Sequence, residues 1–213
     1  MNPREELIAT ARRMNASGLN QGTSGNLSVR VEGGFLLTPT GMDYERLEPE
    51  DLVLMRMDGT HEGRRAPSSE WRIHRDVLAS RPEVGAVLHA HAMFSTSLAC
   101  LRRPIPAFHY MVTRAGGVDI RCAEYATFGT EALSRHTLAA LEGRRACLMA
   151  NHGMVALGGT LAAAHALAVE VETLAAMYWR ALQVGEPVLL DTAEMERVLE
   201  KFKTYGQPPG PRG

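Results

Sequence analysis

Two short apolar runs in this chain stop at histidines, and that feature restricts its folding more than any other. Val84-Gly85-Ala86-Val87-Leu88 leads into His89-Ala90-His91, and Cys147-Leu148-Met149-Ala150 leads into Asn151-His152-Gly153. Short apolar runs bounded by turn residues read as buried strands. Side chains alternate across a strand, so His89 and His91 share one face. A neighbouring strand ending at His152 would bring a third imidazole to the same place. Three imidazoles with one open position form a catalytic zinc arrangement.

The flanking pattern supplies the rest of a sheet and its cover. Asn2 and Pro3 open a helix with Leu7, Ile8, Ala11 and Met14 on one face, stopped near Gly18. Strands are expected over Leu27–Val31, Phe35–Thr38, Leu52–Met57, Ala86–His91, Ile120–Glu124, Ala146–Ala150 and Met154–Leu157. Helices are expected from Glu70 to Arg81, Ala92 to Leu101, Thr130 to Leu141, Leu161 to Val184 and Thr192 to Phe202. Strands come first as meanders and later interleave with helices. This predicts a mixed sheet with helices on both faces, not a doubly wound dinucleotide-binding sheet. A single domain is expected over residues 1–205, with a mobile Pro/Gly-rich tail over 206–213.

Charge and cysteines exclude other classes. The net charge of -1 argues against bulk electrostatic binding of nucleic acid. Cys100, Cys122 and Cys147 form neither a disulfide framework nor a Cys-x-x-Cys pair. The stretch from Leu161 is interrupted by His165, Glu170 and Glu172, so no membrane span is expected. With no apolar signal core at the N-terminus, a cytoplasmic protein is expected.

Two further segments carry donors. Gly22-Thr23-Ser24-Gly25-Asn26 and Thr38-Pro39-Thr40-Gly41 are turns rich in N–H and hydroxyl groups, suited to an anion. No Gly-Lys-Ser/Thr follows the first, so it is not a Walker loop. Ser68-Ser69-Glu70 stands at a helix start. Glu70 there either serves the helix end, where acidic residues are favoured, or faces the metal as ligand or base. Ser68 and Ser69, with free N–H groups, would bind an anion. The other histidines, His61, His74, His109, His136 and His165, lack ligand spacing and are expected to be structural or solvent-facing.

Taken in order, several segments resemble one family. These are Gly18–Arg30, Leu37–Gly41, Pro67–Arg72, His89–His91, Pro106–Met111, Tyr125–Thr130, His152-Gly153 and Leu199–Gly206. Together they resemble class II aldolases of the L-fuculose-1-phosphate aldolase type, within the aldolase/adducin superfamily. The resemblance implies an α/β fold, a three-layer α/β/α arrangement about a mixed, largely antiparallel sheet. It implies one zinc per subunit on His89, His91 and His152, with Glu70 as fourth ligand and catalytic proton carrier. It implies phosphate binding by Thr23, Gly25, Asn26, Thr40, Gly41, Ser68 and Ser69. Tyr110 and Tyr205 would be catalytic, with Phe128 and Phe202 around the aldehyde, in a homotetramer with active sites at subunit boundaries. The implied reaction splits a ketose 1-phosphate into dihydroxyacetone phosphate and an aldehyde.

The sequence departs from the best-known fuculose enzymes at Asn151, where they carry another histidine, and at Thr113-Arg114. Both changes bear on the aldehyde half. A 5-deoxypentulose or 5-methylthioribulose 1-phosphate is therefore an alternative substrate. Within the same superfamily, a sugar-phosphate 4-epimerase, a decarboxylase and an adducin-like assembly module are the rival readings.

Overall fold

The computed structural model describes residues 2–205; the tail expected over 206–213 lies outside the described residues. One eight-stranded sheet runs through the molecule in the order β4-β3-β2-β1-β5-β8-β7-β6. In chain order the strands are β1 (Asn26–Val31), β2 (Gly34–Leu37), β3 (Val53–Met55), β4 (His61–Glu62), β5 (Ala86–Ala90), β6 (Cys122–Ala123), β7 (Ala146–Met149) and β8 (Gly153–Gly158). Every pairing is antiparallel except β6 with β7. The helices are α1 (Pro3–Ala16), α2 (Trp71–Ser80), α3 (Met93–Cys100), α4 (Glu131–Leu141), α5 (Leu161–Val184) and α6 (Thr192–Thr204).

The period-two pattern decides which face each residue serves. Leu27, Leu88, Ala90, Leu148, Met154 and Ala156 pack under α1, α3 and α5. Phe35, Leu37, Val87, Cys147, Met149, Val155 and Leu157 pack under α2 and α4. Two cores on opposite sides of one sheet make the expected three layers. Val87 lies on the α2/α4 side, so alternation sends His89 to that side, along with Asn26 and Ser28 of β1. The register sets Asn26 directly opposite His89.

Polar side chains cap the helix starts. Asn2 accepts from Arg4 N–H, Thr130 from Leu133 N–H and Thr160 from Ala163 N–H. Helix α3 starts at Ala92 without a cap of its own, and Glu172 of α5 accepts from Phe94 and Ser95 N–H at 2.7 and 2.9 Å. An acidic group inside the apolar α5 thus has a structural partner. By length and composition α5 could cross a membrane, with mean hydropathy 1.2, but half of that stretch is buried against the sheet and neighbouring helices.

The differences from expectation are local. The expected strand Leu52–Met57 shortens to Val53–Met55, and the polar pair His61-Glu62 adds an edge strand too short to leave a periodic signal. The strand expected over Ile120–Glu124 shortens to Cys122–Ala123, because Ile120 instead pairs with Ile105 in an isolated bridge. The expected strand at Ala146–Ala150 ends at Met149, so His152 sits in the tight turn into β8 rather than at a strand end.

Candidate metal centre and active-site cleft

His89 comes from β5, His91 follows one residue beyond its end, and His152 comes from the β7–β8 turn. That turn needs Asn151 at φ 54°, a left-handed conformation that asparagine tolerates. The Asn151 carboxamide oxygen accepts from Arg102 Nε at 3.1 Å. The three imidazole rings stand at 75 to 76° to one another, with centroids 4.8 to 4.9 Å apart. One ligand nitrogen from each lies within 4.8 Å of the others.

Gly153 permits this convergence. A Cβ there would lie 2.5 Å from the Ala90 carbonyl oxygen and 3.1 and 3.2 Å from the His91 and His89 rings. Gly25 does the same on the other side, where a Cβ would meet Asn20 Oδ1 at 2.7 Å and the His89 carbonyl at 2.8 Å. The loop before β1 therefore lies directly against the His89 backbone.

Glu70 precedes the first turn of α2, yet its carboxylate caps nothing. Ser68 Oγ accepts the Glu70 N–H at 3.3 Å, leaving the carboxylate free to turn toward the imidazoles. Glu70 Oε2 lies 3.1 Å from His89 Nε2, and Oε1 lies 3.3 Å from His152 Nε2. Oε2 also accepts from Asn26 Nδ2 at 3.0 Å. Oε1 is buried and receives no hydrogen bond among the described residues.

The protonation states suit a cation. His89 Nδ1–H donates to the Met154 carbonyl at 2.9 Å, which leaves Nε2 as a bare lone pair. His91 Nε2 faces that lone pair at 3.1 Å. Burial pushes His89 and His91 below the ordinary imidazole range, and burial with His89 nearby pushes His152 down to about 4. Burial alone would raise the Glu70 carboxyl; His89, His152 and the Asn26 amide outweigh it and hold the group below its ordinary value. Lone pairs converging on a buried carboxylate oxygen without a donor are stable with a cation among them. The donor set fits a divalent metal ion with three nitrogen ligands and one oxygen.

A cleft of about 390 Å³ opens beside this cluster. Thr23, Ser24, Thr40, Gly41, Ser69 and Phe128 line it, together with Tyr125, Asn151 and the clustered side chains Glu70, His91 and His152. Of the residues expected to meet a phosphate, Thr23, Thr40, Gly41 and Ser69 face the cleft. Gly25, Asn26 and Ser68 do not line it, and the latter two are almost wholly buried. The Ser68 N–H, expected to be free, donates to the Thr38 carbonyl. Arg72 holds the loop carrying Phe128 by donating to the Gly129 carbonyl at 3.0 Å.

Tyr110, Phe202 and Tyr205 assemble elsewhere. Tyr110 stacks on Phe202 at 6.4 Å and 8°, Tyr205 meets Phe202 edge-on at 5.7 Å, and the Arg114 guanidinium lies over Phe202. None of the three aromatics lines the cleft of its own chain.

His74 was not singled out by spacing to the other histidines, yet it is fully buried beneath Glu70 and Asn26. The signal was present as a four-residue step from Glu70, which places both on one helix face. Ser24, Tyr125 and Asn151 also enter the cleft without having been expected as ligands.

The mixed sheet thus brings three imidazoles and a carboxylate together at the edge of a polar cleft. The signature of the Class II Aldolase and Adducin N-terminal domain matches residues 5–179, and the chain belongs to that family. The 5-methylthioribulose-1-phosphate/5-deoxyribulose-1-phosphate aldolase of Rhodospirillum rubrum is 63% identical over 203 residues, 95% of this chain and 92% of that protein. The L-fuculose phosphate aldolase of Escherichia coli K12 is 48% identical, covering 94% of each chain. A solved L-fuculose 1-phosphate aldolase superposes with a TM-score of 0.92 at 43% identity, covering 95% of this chain and 97% of that one.

Proposed function

We propose that the chain is a zinc-dependent aldolase that reversibly cleaves a ketose 1-phosphate to dihydroxyacetone phosphate and an aldehyde. The observation that carries this reading is the buried Glu70 Oε1, which has no donor among the described residues and faces convergent imidazole nitrogens. His89, His91 and His152 would hold the zinc, one ion per subunit, with Glu70 as its fourth ligand. A bound zinc ion supplies Lewis acidity where charge develops on the ketone oxygen.

This chain's own residues do the remaining work. The phosphate would lie against Thr23, Thr40, Gly41 and Ser69, with Gly25, Asn26 and Ser68 shaping the floor beneath them. Fixing that remote end orients the C3–C4 bond. Glu70 would carry the proton to and from C3 of the three-carbon fragment. A tyrosine, Tyr110 or Tyr205, would take the proton of the C4 hydroxyl. Both lie outside the cleft of their own chain, which supports a site completed by a neighbouring subunit in a homotetramer. A cytoplasmic location accords with a small sugar phosphate as substrate.

The aldehyde is the open half. Tyr125, Ala126 and Phe128 give the cleft an apolar wall, and both aromatic rings are exposed. Such a wall suits an aldehyde ending in a methyl or methylthio group. The aldehydes from all three candidate ketoses end in such a group, so it is the 63% identity to the Rhodospirillum rubrum protein that favours 5-deoxyribulose or 5-methylthioribulose 1-phosphate over L-fuculose 1-phosphate. The sequence resemblance alone put fuculose first. A retro-aldol screen of all three would compare kcat/KM by dihydroxyacetone phosphate release. A higher value for L-fuculose 1-phosphate would reverse the preference. Release from none of them would refute the function.

A further inference from the structure

Behind Glu70 lies a line of buried polar groups that no metal or substrate role explains. Asn26 Nδ2 donates to Glu70 Oε2 at 3.0 Å. Asn26 Oδ1 lies 2.5 Å from His74 Nε2, and His74 Nδ1 lies 2.7 Å from Ser28 Oγ. Ser28 and His74 are wholly buried, and Asn26 and Glu70 are 3% and 4% exposed.

The donors and acceptors fit in one way only. An ionised Glu70 only accepts, so Asn26 presents its NH₂ to it and its oxygen to His74. His74 Nε2 must then carry a proton. Burial pushes His74 down to about 3, so the ring is neutral and its Nδ1 accepts from the Ser28 hydroxyl. Turning the amide over would set its oxygen against the Glu70 carboxylate, two acceptors with no proton between them. Unpaired buried groups of this kind are costly.

We propose that Asn26 and His74 are positioning residues for Glu70: His74, protonated at Nε2, fixes the Asn26 amide, which holds Glu70 Oε2 and aims Oε1 at the three imidazoles. The carboxylate would then pivot about one tethered oxygen while it exchanges protons, instead of swinging free. Sequence spacing supports the arrangement, since Asn26 and Ser28 share a strand face while Glu70 and His74 share a helix face. The inference rests on the reading of Glu70 as proton carrier.

Neutron diffraction from a deuterium-exchanged crystal of the zinc-loaded enzyme would place the protons directly. Deuterium on His74 Nε2 and not on Nδ1, with the Asn26 nitrogen toward Glu70, is the expected result. Deuterium on Nδ1, or a reversed amide, would overturn the proposal. Kinetics of Asn26→Asp, which keeps the shape but removes the donor, gives a second readout. We expect kcat to fall roughly 10- to 100-fold, as for other groups that orient a metal-site side chain, with KM nearly unchanged. A raised KM with parental kcat would make Asn26 a substrate contact and refute the tether. If the parent enzyme releases no dihydroxyacetone phosphate, the assigned reaction fails, while the diffraction result still decides where the proton lies.

Discussion

Replacing Gly153 by alanine tests the geometry of the imidazole cluster with a single methyl group. The new Cβ would lie 2.5 Å from the Ala90 carbonyl oxygen, 3.1 Å from His91 Cδ2 and 3.2 Å from His89 Cε1. Carbon–oxygen contacts of about 3.3 Å or more are normal, so the carbonyl must retreat by roughly 0.8 Å. Carbon–carbon contacts prefer about 3.5 Å or more, so each ring must move by roughly 0.3–0.4 Å. Metal–ligand distances tolerate only about 0.2 Å. The Ala90 carbonyl belongs to β5, paired with β8, and cannot retreat without bending the ladder that carries His89. We expect Gly153→Ala to lose about 1–3 kcal/mol of stability through overpacking. Zinc affinity should fall by roughly 10- to 100-fold, the usual scale when ligand orientation is disturbed. Chelator competition on the stripped protein measures the second quantity, and urea denaturation in chelator the first. Parental zinc affinity in a folded Gly153→Ala protein would refute the claim that these rings converge as described.

Other side chains give separable outcomes. Glu70→Gln should cut kcat by about 10²- to 10⁴-fold, the range for a lost general acid–base group, while zinc content measured by elemental analysis stays near parental. Tyr44→Phe removes the hydroxyl that donates to the Gly25 carbonyl and should cost about 1–3 kcal/mol in chemical denaturation. Burial raises the Tyr44 phenol to about 12 in the folded protein. That exceeds the unfolded value of about 10, so its contribution is full below pH ~10 and fades as pH rises toward the folded value. Denaturation across that alkaline range should therefore show a steeper loss in the parent than in Tyr44→Phe. Glu172→Ala uncovers the Phe94 and Ser95 N–H groups and should lower stability by about 1–2 kcal/mol without changing zinc affinity.

The fold was legible because its signals are periodic. His89 and His91 are two apart and share a face, and Thr130 marks a helix start that the structure keeps. Glu70 was ambiguous in sequence, since a carboxylate at a helix start suits either the helix end or a metal. Tertiary packing turns it inward, where its carboxylate faces His89 and His152 while Ser68 Oγ accepts the Glu70 N–H. The line of Ser28, His74 and Asn26 was not legible, because its partners lie 46 and 48 residues apart in the chain. Only the strand register and the position of α2 over β1 bring them together. The edge strand at His61–Glu62 escaped for the opposite reason, being too short and too polar to show a period.

The central claim is that the three imidazoles and Glu70 form one metal centre that carries the cleavage. Titrating zinc into the stripped protein while recording dihydroxyacetone phosphate release from 5-deoxyribulose 1-phosphate tests it most directly. The rate should rise from near zero in proportion to zinc and break sharply at one ion per chain. A stripped protein that already turns over at the full rate would contradict the account.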